Sequence, residues 1–131
     1  MPSPTQVVTD FIERLGTPGG FADAVRTCFT ERTRYLNVGM TDTTGIEEAL
    51  GVVQMFEQGM GMSYLKVDML AIAEQGNTVL TERIDHLHAA DGSLVMSVPL
   101  AGIFEVEDGK IVGWRDYFDT AGLAGGGNGD G

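Results

Sequence analysis

Gly113-Trp114-Arg115-Asp116-Tyr117-Phe118-Asp119 is the stretch from which the rest of the chain is read. It follows Glu107-Asp108-Gly109-Lys110, a polar turn with Asp-Gly at its centre, which predicts a hairpin to the apolar run before it. Alternation along a strand puts Trp114, Asp116 and Phe118 on one face and Arg115, Tyr117 and Asp119 on the other. One carboxylate then sits between two large aromatic side chains. An ionised group there is costly unless it is paired or used in chemistry.

Working back from this stretch, strands are expected at about 64–73, 78–88, 94–106 and 111–118. Glu74-Gln75-Gly76-Asn77, Ala90-Asp91-Gly92 and Glu107-Asp108-Gly109-Lys110 separate them, and turns this short imply an antiparallel meander. Pro99 falls inside the longest of these strands, so a bulge or a non-pairing position is expected there, and the faces of 94–98 stay open. Before the strands come helices. Ser3-Pro4 reads as N-cap and first helical position; Val7, Val8, Phe11, Ile12 and Leu15 repeat at helical spacing, and Gly16 ends the run. A short second helix is expected at about 21–29 and a first strand at 33–38, which holds Tyr35 and Asn37 at i, i+2. Thr44-Gly45-Ile46-Glu47 reads as a capping box opening a third helix, which Gly59 to Met62 break. Helices first and strands after them predict an α+β domain over 1–120, its helices on one face of a curved sheet. Residues 121–131, rich in glycine, read as a disordered tail.

At 131 residues the chain is expected to form one domain with its own core. Its net charge of −11 argues against nucleic acid or an anionic membrane as partner, since either needs a basic patch. Met1-Pro2-Ser3-Pro4-Thr5 offers neither a basic region nor an apolar run, so a cytoplasmic location is expected. Cys28, the lone cysteine, lies in an apolar helical pattern and reads as a buried structural thiol. His86-Leu87-His88 could hold a metal on a strand, but both rings would face away from Arg83 and Asp85, and no carboxylate completes a ligand set. Surface or interface histidines are the reading adopted, with no metal and no cofactor expected.

Val79, Thr81, Arg83, Asp85 and Leu87 share one strand face, so Arg83 and Asp85 form an inward polar pair. Residue types alone leave open a structural salt bridge. The alternative follows from charge arithmetic. One guanidinium balances one carboxylate, so with Asp85 and Asp116 both beside Arg83 the pair can hold a proton near neutral pH. One acid and one base on a single cation suit the opening of a strained ring by water. In a meander the strand 94–106 separates the two carboxylates by about 9–10 Å between axes. Gly102 on that strand leaves space for an arginine side chain to cross.

Tyr35-x-Asn37, Thr81-Glu82-Arg83-Ile84-Asp85 and Gly113 to Asp119, in this order and at these spacings, resemble the limonene-1,2-epoxide hydrolase family. The resemblance runs from about Val7 to Asp119. It implies the cone-shaped, nuclear transport factor 2-like (cystatin-like) α+β fold, with N-terminal helices on a strongly curved, mixed, mostly antiparallel sheet, and a homodimer formed through that sheet. It implies Asp116 as the base on the attacking water, Tyr35 and Asn37 as its companions in holding that water, Asp85 as the acid on the epoxide oxygen, and Arg83 as the bridge. Where the family continues past the last strand with a segment near the pocket, this chain has Ala124-Gly125-Gly126-Gly127.

The expected activity is cofactor-independent addition of water to an apolar epoxide, giving a vicinal diol. Leu87, Val98, Leu100, Trp114 and Phe118 are expected to wall the pocket, with Met60 and Met62 as an adaptable part of it; such a wall favours terpene-like, alicyclic or steroidal substrates. Two rivals stand beside it. An isomerase or cyclase of the same fold would use buried carboxylates but needs no water cradle. A non-catalytic binding module would need only the salt bridge.

Overall fold

The structure, a computed structural model, describes residues 1–121. Three helices precede most of a six-stranded sheet: α1 (Pro4–Arg14), α2 (Gly20–Cys28), β1 (Phe29–Asn37), β2 (Thr41–Thr44), α3 (Ile46–Met60), β3 (Tyr64–Gln75), β4 (Thr78–His88), β5 (Leu94–Glu107) and β6 (Lys110–Tyr117). The tail read as disordered lies outside the described residues, apart from Ala121.

The local signals that start α1 act as expected. Ser3 caps it reciprocally with Gln6: the Gln6 amide donates to Ser3 Oγ at 3.1 Å, and the Ser3 amide donates to Gln6 Oε1 at 2.8 Å. The start of α3 corrects the reading. Thr44 is the last residue of β2, paired with Arg34 of β1, so it cannot cap the helix. Gly45 takes that position at φ 91°, donating to the Thr33 carbonyl, and Glu48 reaches back to the Thr44 amide. A side chain at Gly45 would meet the Glu31 carbonyl at 3.0 Å.

Strands β3 to β6 form the expected meander, and the sheet order is β2-β1-β6-β5-β4-β3. β1 lies parallel to β6 with Tyr35 opposite Trp114 and Asn37 opposite Asp116, so the sheet is mixed. The parallel pair carries the first strand's two polar residues to the stretch that opened the reading. No bulge forms at Pro99: the β4–β5 register runs unbroken through Ile84↔Pro99. Pairing of β5 with β6 ends at Ala101↔Tyr117, so among the described residues Pro99 lies where that edge of β5 has no partner strand. The register shifts instead at Leu87/His88, Met69/Ala71 and Glu105/Val106, where bulges bend the strands.

The helices bury Val8, Phe11, Ala24, Val25, Ala49 and Val53 against one face of this sheet. Phe104 and Trp114 meet them there, with Phe11 edge-on to the indole at 5.1 Å. Cys28 is buried in that core, which raises its thiol pKa. None of the helices among the described residues is long and apolar enough to cross a membrane.

Candidate active site

β4, β5 and β6 run side by side, and their inward face carries a charged group almost closed to solvent. Arg83 is 2% exposed, Asp116 4% and Asp85 7%, so the charges must satisfy one another. Arg83 Nε donates to Asp85 Oδ1 and Nη2 to Asp85 Oδ2, both at 3.1 Å; Nη2 also donates to Asp116 Oδ2 at 3.1 Å. Its Nη1 donates at 3.0 Å to Thr81 Oγ1, whose hydroxyl donates to the Gly102 carbonyl at 2.9 Å. The guanidinium crosses β5 above Gly102, which is opposite Thr81 on one side and Asp116 on the other. A methyl on Gly102 would collide with Arg83 Nη1 and lie 2.5 Å from Asp116 Oδ1. The separation between β4 and β6 is therefore closed by one arginine over one glycine.

Burial sets the electrostatics. Asp116 is pushed up to about 6 by burial, with Asp85 adding to the push, while Arg83 and the Trp114 N–H pull the other way. Burial opposes the charge on Arg83, yet the two carboxylates outweigh it and raise its pKa. The Tyr35 phenol is raised by burial and by Asp116, so it stays a neutral donor. The two carboxylates share one cation.

Tyr35 and Asn37 join this group from β1. Tyr35 stacks on Trp114 with centroids 4.3 Å apart and planes 10° apart, and its phenol is within hydrogen-bonding reach of Asn37. Asn37 Nδ2 donates to Thr41 Oγ1 at 2.9 Å, which fixes the amide's orientation. Tyr35, Asn37, Asp85 and Asp116 form the polar end of a pocket with about 510 Å³ of empty space, counted to its open mouth. Met60, Met62, Leu87, Val98, Leu100, Trp114 and Phe118 all line it, as the sequence predicts. Phe21, Met40, Phe56, Leu65 and Met96 line it too and were missed. On helices α2 and α3 an apolar residue reads equally as core. Met96 lies in the segment whose face Pro99 left open.

The two histidines lie elsewhere. On the opposite face of the sheet, His86 bonds Ser97 Oγ at 2.7 Å and Asp68 Oδ2 at 2.9 Å. His88 bonds the Gly92 carbonyl and stacks on Tyr64.

Three helices packed on one face of a six-stranded mixed sheet give the SnoaL-like, nuclear transport factor 2-like (NTF2-like) fold. The structure superposes on a SnoaL-like protein of Jannaschia sp. CCS1 with a TM-score of 0.76 at 18% identity, covering 98% of this chain and 93% of that one. It matches an LEH-like epoxide hydrolase of Mycobacterium tuberculosis (LEH, limonene-1,2-epoxide hydrolase) with a TM-score of 0.72 at 29% identity, covering 89% and 83%. In sequence it is 34% identical over 98 residues to the epoxide hydrolase EphG of Mycobacterium tuberculosis, which is 75% of this chain and 62% of that protein. The family model of the limonene-1,2-epoxide hydrolase catalytic domain matches residues 2–125. The chain belongs to that family.

Proposed function

We propose that the protein is an epoxide hydrolase that adds water to an apolar epoxide in one step and releases a vicinal diol. The observation that carries this reading is Arg83 holding Asp85 and Asp116 together at the one polar end of an otherwise apolar pocket. Water bound among Asp116, Tyr35 and Asn37 loses a proton to Asp116 as its oxygen attacks one epoxide carbon. The carbon–oxygen bond on that carbon breaks, and Asp85 gives its proton to the departing oxygen. The enzyme is left with the pair's proton on Asp116, and exchange with solvent returns it to Asp85. A base near 6 is matched to this work: strong enough to take the proton, and ionised often enough to be ready. No covalent intermediate is formed. Family membership, the epoxide hydrolase relatives and the paired carboxylates all support this reading over an isomerase, which would not need the Tyr35 and Asn37 cradle.

The walls favour terpene-like, alicyclic or steroidal epoxides, because Phe21, Phe56, Met60 and Met62 offer apolar, adaptable surface and no charge. One domain over 1–120 and a homodimer through the outer sheet face complete the proposal. Leu70, Leu80 and Tyr117 are exposed there and would be covered by a second copy. The test is diol formation by purified protein from limonene oxide, cyclohexene oxide, styrene oxide and a steroid epoxide. Turnover of at least one, lost in Asp116→Asn, is expected; no diol from any of them contradicts the proposal.

A further inference from the structure

The hydrogen bonds to the two carboxylates are unequal in source. Asp85 receives two from Arg83, whereas Asp116 receives one, although its side chain is the more buried, at 5% exposure against 11%. On Arg83 alone, Asp116 would have a single donor to set against its burial, which favours the protonated form that cannot act as a base. The second bond to Asp116 comes from Trp114, whose indole Nε1 donates to Oδ1 at 2.6 Å. The indole has little freedom to turn away. It lies between its two cross-strand neighbours, Tyr35 at 4.3 Å and 10°, and Phe104 at 5.2 Å and 17°.

We propose that Trp114, beyond walling the pocket, is a positioning residue: its N–H donates to the ionised form of Asp116 and so favours the form that acts as base. This rests on the hydrolase reading for its consequence, though not for its measurement. The ionisable groups facing Asp116 are Arg83 and Asp85 from β4 and the Tyr35 phenol from β1. β5 presents Gly102, and the helices contribute Phe21 and Phe56 to the pocket. Among the described residues, the N–H is thus the one hydrogen bond to the carboxylate that can be removed without removing a charge.

Trp114 is the chain's single tryptophan, so one indole Hε1 resonance reports the bond. In the full-length protein that resonance should move with pH at the midpoint of the Asp116 ¹³Cγ signal, and Asp116→Asn should abolish the movement. Trp114→Phe keeps an aromatic ring and removes the donor. Its Asp116 midpoint should rise by about one pH unit, since a hydrogen bond to a charged group is worth about that much. On an epoxide that the wild type hydrolyses, kcat measured below pH 6 should fall about tenfold with KM within about threefold, as the ionised fraction of Asp116 falls. The acid limb of kcat/KM should shift upward with the midpoint. An indole resonance indifferent to Asp116, or an unmoved midpoint in Trp114→Phe, overturns the proposal; the first needs no variant that must fold. Both midpoints are measured without substrate, so a wild type inactive on every epoxide would refute the hydrolase reading and leave this result standing.

Discussion

Gly102→Ala places one methyl group where Arg83 crosses β5. An ideal Cβ there lies 2.5 Å from Asp116 Oδ1 and 3.1 Å from Thr81 Oγ1, and it collides with Arg83 Nη1. Comfortable contacts between such atoms are about 3.5 Å, so the carboxylate or the guanidinium must withdraw by about 1 Å. Neither can do so freely, because Nη1 is bonded to Thr81 and Oδ1 to Trp114. Overpacking of this kind costs about 1–3 kcal/mol, which for a domain of this size is a fall in Tm of about 3–10 °C. A misplacement of about 1 Å in the catalytic group costs about 10²-fold in kcat/KM. The control is Gly51→Ala in α3, where a Cβ meets nothing within 4 Å. It should gain about 0.5–1 kcal/mol and keep full activity. Thermal unfolding followed by circular dichroism, with kcat/KM on the best epoxide, reads both. A Gly102→Ala protein with unchanged Tm and kcat/KM within about threefold of wild type would show that Arg83 does not bridge the carboxylates over this glycine.

Asp85→Asn and Asp116→Asn should each lower kcat by about 10²–10⁴ with the circular dichroism spectrum unchanged, because each deletes one proton transfer. Either variant keeping more than about a tenth of wild-type kcat would remove its residue from the mechanism. The pH profile of kcat/KM should be bell-shaped, with limbs that belong to the pair. Asp116 must be ionised to act as the base, and it ionises as pH rises through about 6. The acid limb should therefore lie near that value, and a profile flat between pH 5 and 8 would contradict Asp116 as the base.

Much of the site could be read from alternation. Asp116 between Trp114 and Phe118, and Arg83 beside Asp85, lie on single strand faces, and a period of two fixes which neighbours they keep. The meander followed from three short turns with glycine at the tight positions, among them Gly76, Gly92 and Gly109, all at positive φ. What alternation could not show was the partner of β1. Its parallel pairing with β6 joins residues about eighty positions apart, and no local pattern encodes it. β2 was hidden for a different reason. Thr41-Asp42-Thr43-Thr44 carries strand-forming threonines, but Thr44 with Glu47 imitates a helix cap, and only the pairing with β1 decides between them. Asp42 helps that pairing through its ion pair with Arg34 at 2.7 Å. The bond from Trp114 to Asp116 was legible in principle: a donor two residues before a carboxylate, on the same face, is within reach of it.

The central claim is that water, and not Asp116, attacks the epoxide. A single turnover in ¹⁸O-water with enzyme in excess tests it most directly, because an attacking carboxylate would transfer its own oxygen to the first product. Diol labelled in that first turnover, with unlabelled Asp116, is the predicted result. Unlabelled diol, followed by ¹⁸O in the Asp116 carboxylate, would contradict it.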